Sequence, residues 1–147
     1  MTVRALLIGC GEPAIHAETE SFAESLGVEH LERVLMPGGC WWLAEAASAT
    51  SGRFRRALLG EHVPVRDALV RFIAHSRIER VVLLAHEGCD WYRHQHPGAT
   101  EGARLKIAGE DIFTARDELR HIDNSGVQIE GRVYVRSGSH AGWRDLF

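Results

Sequence analysis

Cys10, His86 and Cys89 are the side chains best suited to share a metal ion. Two thiols and one imidazole form a zinc donor set, soft enough for that ion and one ligand short of its usual tetrahedron. Three protein ligands with an open fourth position characterise a catalytic zinc rather than a structural one. Each group of ligands follows an apolar run. Val3-Arg4-Ala5-Leu6-Leu7-Ile8-Gly9 delivers Cys10, and Val81-Val82-Leu83-Leu84-Ala85 delivers His86-Glu87-Gly88-Cys89. His-x-x-Cys alone is a weak motif. It gains weight at a strand end, where a cysteine from a neighbouring parallel strand can reach it.

Other residues nearby carry more than one reading. Glu12 follows Cys10 by two residues, so its carboxylate can approach the same ion as a fourth ligand or accept a proton from zinc-bound water. The alternative is a solvent-facing glutamate in a polar loop. Asp90 is either an outer-shell hydrogen-bonding partner or an exposed acid. His94 and His96 are proton-relay candidates near neutral pH or plain loop surface. Cys40 reads as a packed thiol near a helix start, with the loop before it a candidate to approach the site, and Trp41 and Trp42 as core or subunit-interface residues before substrate contacts. Glu110-Asp111 and Arg116-Asp117 read as solvated helix surface.

A rival reading occupies the same first loop. Gly9-Cys10-Gly11-Glu12-Pro13-Ala14 matches the G-x-G-x-x-A dinucleotide fingerprint after a strand. Against it, Glu12 places a carboxylate where a pyrophosphate should lie. The second strand also ends at Leu35-Met36-Pro37, with no acid to hold a ribose.

The elements that must position these residues alternate between strand and helix. Val3–Gly9, a stretch within Leu31–Met36, Val81–Ala85 and Val127–Val135 read as strands. The first and third are continuous apolar runs, the pattern of strands buried on both faces. In the last, Val127, Ile129, Val133 and Val135 fall on one side. Helices are expected at Thr19–Leu26, at Trp41–Ala49 up to the break at Ser51-Gly52, and from Pro64 to Ser76. In the last of these, Val65, Leu69, Phe72, Ile73 and Ser76 share one face, with Arg66, Asp67 and Arg71 off it. A further helix carries Leu105, Ile112, Leu119 and Ile122 inside, after a polar stretch at Trp91–Thr100. This order predicts one three-layer α/β domain over residues 1–147, with helices flanking a mainly parallel sheet of order 2-1-3-4 and room for an extra edge strand. Ligands in such sheets sit beyond the carboxyl ends of strands where the order reverses, which is between strands one and three if the order runs 2-1-3-4.

Composition narrows the function classes. The chain has 147 residues, 45% hydrophobic and 25% charged, enough for a full core without disulfides. A net charge of -3 with no basic stripe argues against nucleic acid. Three cysteines without scaffold spacing suit a reducing compartment, so a cytoplasmic location is expected. The first apolar run is too short for a membrane span or signal peptide.

With Cys10 and His86-x-x-Cys89 placed after buried strands, the sequence resembles the β-class carbonic anhydrases over nearly its whole length. Pro37-Gly38-Gly39 is similar to the family's glycine-rich turn, and Pro64–Ser76 to its helix before the histidine strand. Ile129-Glu130-Gly131-Arg132-Val133-Tyr134-Val135 is similar to its last strand. The resemblance implies a parallel-cored α/β fold, a homodimer or higher homo-oligomer, a Zn2+ cofactor on Cys10, His86 and Cys89, and hydration of carbon dioxide to bicarbonate by zinc hydroxide. Three features depart from the pattern. The family's Cys-x-Asp-x-Arg is Cys10-Gly11-Glu12-Pro13-Ala14 here, so the acid is longer by one methylene and the arginine is absent. Asp90 stands where a glycine commonly follows the second cysteine. The family's N-terminal helical arm is not expected, since Met1 lies two residues before the first strand.

Zinc can lower the pKa of water from about 15.7 to about 7. Two thiolates and a nearby carboxylate work against that shift, so activity is expected to increase toward alkaline pH. Two alternatives remain open: a zinc hydrolase of another small electrophile such as carbonyl sulfide or carbon disulfide, and a non-catalytic zinc protein closed by Glu12.

Overall fold

A computed structural model describes residues 3–50, 62–122 and 126–147. Among these residues five strands form one sheet in the order β2-β1-β3-β4-β5. They are β1 (Arg4–Cys10), β2 (His30–Met36), β3 (Arg80–His86), β4 (Gln128–Val135) and β5 (Gly142–Asp145). The first four are mutually parallel, as the alternation of elements predicts, and β5 adds antiparallel to β4 as the extra edge strand. Among the described residues the helices are α1 (Pro13–Ser25), α2 (Trp41–Thr50), α3 (His62–His75), α4 (Asp90–Gln95) and α5 (Glu101–Ile122).

Burial explains why β1 and β3 are continuous apolar runs. Ala5 to Ile8 and Val81 to Leu84 are almost wholly buried, which requires cover on both faces. On one face Leu6, Ile8, Val81, Leu83, Val133 and Val135 pack with Leu43 of α2, Leu69 and Ile73 of α3, and Ile112 and Leu119 of α5. On the other face Leu7, Val82 and Leu84 pack against Phe22 and Ala23 of α1. The sheet is therefore the middle of three layers. Gly131 lets α5 close on β4, because a Cβ there would meet Ile112 and Phe147 at 2.7 Å.

Several boundaries differ from those expected. α1 begins six residues before Thr19, because Pro13 stands in the first turn, where its fixed φ is already helical and its missing N–H has no partner to lose. α3 likewise begins at His62 rather than Pro64. The stretch 91–100 is not all loop, since α4 takes up Asp90–Gln95. The expected break at Ser51-Gly52 and the side chain of Ile122 lie outside the described residues. Two charged pairs are only half solvated. Asp111 accepts a hydrogen bond from the buried Tyr92 hydroxyl at 2.6 Å, and Arg116 lies over the rings of Phe113 and Phe147. Arg66 leaves the apolar face as expected but reaches across to Glu118 of α5 at 3.1 Å. In each case a flanking element covers the helix side that the local pattern assigns to water.

At its carboxyl end the sheet opens. The β1–β3 ladder ends at Ile8↔Leu83, whereas β1 stays paired with β2 to Cys10↔Met36 and β3 with β4 to His86↔Tyr134. The turn after β2 crosses the end of β1 and carries Cys40 Sγ to 4.0 Å from the Leu84 carbonyl. Gly39 presses directly on β1, since a Cβ there would lie 2.9 Å from the Gly9 carbonyl carbon. No described helix is long and apolar enough to cross a membrane.

Candidate metal centre

The crevice where β1 and β3 part holds the chemistry. Cys10 is the last residue of β1, His86 the last of β3, and Cys89 the residue just before α4. Both strands run parallel, so their carboxyl ends arrive side by side. Glu12, just before α1, completes the group. One ligand atom each from Cys10, Glu12, His86 and Cys89 lies within 4.8 Å of the others. The two cysteines and the histidine are buried, and Glu12 keeps 16% of its side chain exposed.

The spacing suits a small tetrahedral ion. Two sulfurs each ~2.3 Å from such an ion stand ~3.8 Å apart. Cys10 Sγ and Cys89 Sγ are 3.9 Å apart. His86 Nδ1 lies 3.0 Å from the Glu87 carbonyl oxygen, so it carries the proton and donates there, which turns the Nε2 lone pair into the crevice. Glu12 Oε1 accepts the Asp90 backbone N–H at 2.6 Å, which aims Oε2 the same way. Oε2 and Nε2 then stand 2.9 Å apart, yet neither has a hydrogen-bond partner of acceptable geometry. Two buried, lone-pair-bearing atoms facing one another are costly unless a proton or a metal cation lies between them. This donor set and its two orphaned atoms fit Zn2+.

The electrostatics point the same way. The Cys10 thiol is lowered, first by the hydrogen bond from Cys89, while Cys89 is pushed up by being that donor and by burial. The backbone N–H groups of Glu12 and Gly38 support the Cys10 thiolate, and that of Tyr92 supports Cys89. Burial raises Glu12 against the opposing Asp90 amide, with the Cys10 charge adding to the rise. Burial alone lowers His86, but the nearness and charge of Cys10 outweigh it and the net direction is upward. The three upward shifts, of Cys89, Glu12 and His86, share the charge of Cys10 as a cause, and a dication would relieve that crowding.

Not every candidate reaches this point. The Asp90 carboxylate is 76% exposed and paired with Arg93, so its amide rather than its side chain serves the site. His94 is exposed beside Trp91, and His96 lies past the end of α4; neither joins the cluster. Cys40 is buried as a packed thiol whose ionisation is strongly disfavoured by desolvation. Trp41 and Trp42 are half buried and form an aromatic group with Trp91, which lies against Gly38. The loop that resembles a dinucleotide fingerprint gives its carboxylate to the cluster, so a pyrophosphate there would meet like charge. The contributions missing from the sequence reading are the backbone ones: the Asp90, Gly38 and Tyr92 amides and the Glu87 carbonyl. Only Gly38, in its glycine-rich turn, left any local sign.

No protein-family model and no curated protein sequence matches the chain. Among solved structures, it is similar to the β-carbonic anhydrase CafA of the fungal pathogen Aspergillus fumigatus, with a TM-score of 0.56 and 16% identity over 99% of this chain and 76% of that one. It is also similar to the β-carbonic anhydrase CafD of the same filamentous fungus, with a TM-score of 0.54 and 16% identity over 99% of this chain and 90% of that one. At this identity the likeness is one of architecture: the chain has a β-carbonic-anhydrase-like α/β fold with a Cys-Glu-His-Cys group at the strand ends, suited to a metal ion.

Proposed function

We propose that Cys10, His86 and Cys89 hold Zn2+ and that the chain catalyses the reversible hydration of carbon dioxide to bicarbonate. The observation that carries this reading is the convergence of two thiols 3.9 Å apart with the orphaned Nε2 of His86 and Oε2 of Glu12. The likeness in fold to the Aspergillus fumigatus β-carbonic anhydrases selects the reaction among those open to such a donor set. When bound, the ion supplies a Lewis acid that makes water acidic enough to react near neutral pH.

The chain's own residues do the rest. Glu87 fixes the His86 ring through its carbonyl, and N–H groups on both sulfurs draw charge from the thiolates. Glu12 is the pivotal group. Its carboxylate lies close enough to the other three donors that it would supply the fourth ligand, while the Asp90 amide holds one of its oxygens. This geometry also favours a second reading, a zinc protein closed by Glu12, because no arginine follows in Cys10-Gly11-Glu12-Pro13-Ala14 to draw the acid away.

Metal analysis combined with stopped-flow carbon dioxide hydration between pH 6 and 9, on the parent and on Glu12→Ala, separates the readings. A proton-accepting Glu12 predicts an active parent and a weaker variant. A closing Glu12 predicts a silent parent whose variant gains activity. Stoichiometric zinc with neither protein active overturns carbon dioxide as the substrate, and carbonyl sulfide and carbon disulfide become the next electrophiles to test.

A further inference from the structure

The ligands arrive as two pairs on two halves of a split sheet. Cys10 and Glu12 belong to the β2–β1 half, and His86 and Cys89 to the β3–β4 half. Strand pairing between the halves stops at Ile8↔Leu83, short of every ligand. Backbone pairing therefore does not set the distance between the pairs, and side chains must bridge the gap.

Arg136 makes such a bridge. It follows the end of β4, and its guanidinium donates to the carbonyl of Ala14 in the first turn of α1, two residues after Glu12. The same group lies 4.0 Å from Glu18 of α1 and 5.8 Å from the Tyr134 ring centroid. Its backbone is held in turn. Glu87 accepts the Arg136 N–H at 2.5 Å, the Ser137 N–H at 2.8 Å and the Ser137 hydroxyl. Glu87 is also the residue whose carbonyl orients His86 and whose N–H continues the β3–β4 ladder onto the Tyr134 carbonyl. One connected path thus runs from the imidazole, through Glu87 and Arg136, to the turn of α1 behind Glu12.

We propose that Arg136, clamped by Glu87, is a positioning residue that sets the separation of the two ligand pairs. This rests on the zinc reading of the cluster. Neither side chain touches the ion. They act on where the ligands stand, and loss of partners that orient ligands typically weakens metal binding ~10–100-fold.

The test is Zn2+ affinity by chelator competition, with the ligand-field spectrum of the Co2+-loaded protein and the melting temperature of the metal-free protein. Arg136→Ala and Glu87→Ala should each weaken Zn2+ binding ~10-fold or more and alter the Co2+ spectrum. The double variant should be no worse than the weaker single one, since both cut one path. Glu87→Gln should retain most of the affinity, because its amide oxygen can still accept both N–H groups. Arg33→Ala removes an ion pair to Glu20 elsewhere on α1 and should leave both metal readouts unchanged. Arg136 is 44% exposed, so its loss should shift the metal-free melting temperature little. Should Arg136→Ala not fold, Glu87→Ala decides alone. Tight parent binding with unchanged affinity in these variants, or an equal loss in Arg33→Ala, overturns the positioning role. A parent that binds no Zn2+ overturns the zinc reading and the positioning role with it.

Discussion

Gly39→Ala tests whether the turn after β2 is what seats Cys10. Gly39 has φ +50°, a region that costs an L-residue ~1–2 kcal/mol. Gly27 has φ +62° with nothing within 4 Å of its would-be Cβ, so Gly27→Ala should lose that amount and no more. At Gly39 the new methyl would stand 2.9 Å from the Gly9 carbonyl carbon, 3.1 Å from Cys10 N and 3.2 Å from Gly9 Cα. These are backbone atoms of a strand held in register by Gly9↔Leu35 and Cys10↔Met36, so they cannot give way without breaking the ladder. Overpacking of this kind adds ~1–3 kcal/mol, for a total of ~2–5 kcal/mol. At ~2–4 °C per kcal/mol for a domain of this size, Gly27→Ala should melt a few degrees low and Gly39→Ala up to ~20 °C low. Urea unfolding of both variants measures the difference directly, and Zn2+ affinity should fall in Gly39→Ala alone. Two variants destabilised equally, to within ~0.5 kcal/mol, would refute the packing argument.

Further expectations follow from other contacts. Tyr92→Phe removes the buried hydroxyl that donates to Asp111 at 2.6 Å, and should cost ~1.5–3 kcal/mol in urea unfolding; an unchanged midpoint would show that the bond contributes nothing. Saturating Zn2+ at ~1,000 times its dissociation constant should stabilise the parent by ~4 kcal/mol, lost on chelation and absent in Cys89→Ser. The affinity should rise with pH, because ligands bind deprotonated and the Cys89 and His86 protons must leave. Glu101 is held below the ordinary carboxylate range because hydrogen bonds from Arg93 and Arg104 outweigh its slight burial. The stability it adds is present above its unfolded pKa and is lost as pH falls through the lower folded one. Glu101→Gln should therefore differ from the parent at pH 7 by ~0–1 kcal/mol, given the exposure of these pairs, and match it near pH 2.

Much of this architecture is local in origin. The apolar runs ending at Cys10 and before His86 could bury both faces only as inner parallel strands, and that placement alone sends their ends to one crevice. The parallel pairing follows from alternation of elements and right-handed crossovers, whereas the order β2-β1-β3-β4 is settled by packing. The donor types, two thiols and an imidazole, are a matter of composition and spacing. Local pattern failed where cover came from afar. Pro13-Ala14-Ile15-His16 shows no apolar stripe that marks it as helical, yet it forms the start of α1 because Ile15 packs into the core. Asp111 reads as surface until Tyr92, nineteen positions away, is laid against it.

What tertiary structure alone decided is the second layer of the centre. Which oxygen of Glu12 faces His86 depends on an amide seventy-eight residues away at Asp90. The span between the ligand pairs depends on Arg136, which no spacing rule links to Cys10. Backbone amides and carbonyls are the same at every position of a sequence, so their use as donors and clamps is invisible until the chain is folded. Side-chain chemistry is written residue by residue, whereas the geometry that makes it act together comes only from packing.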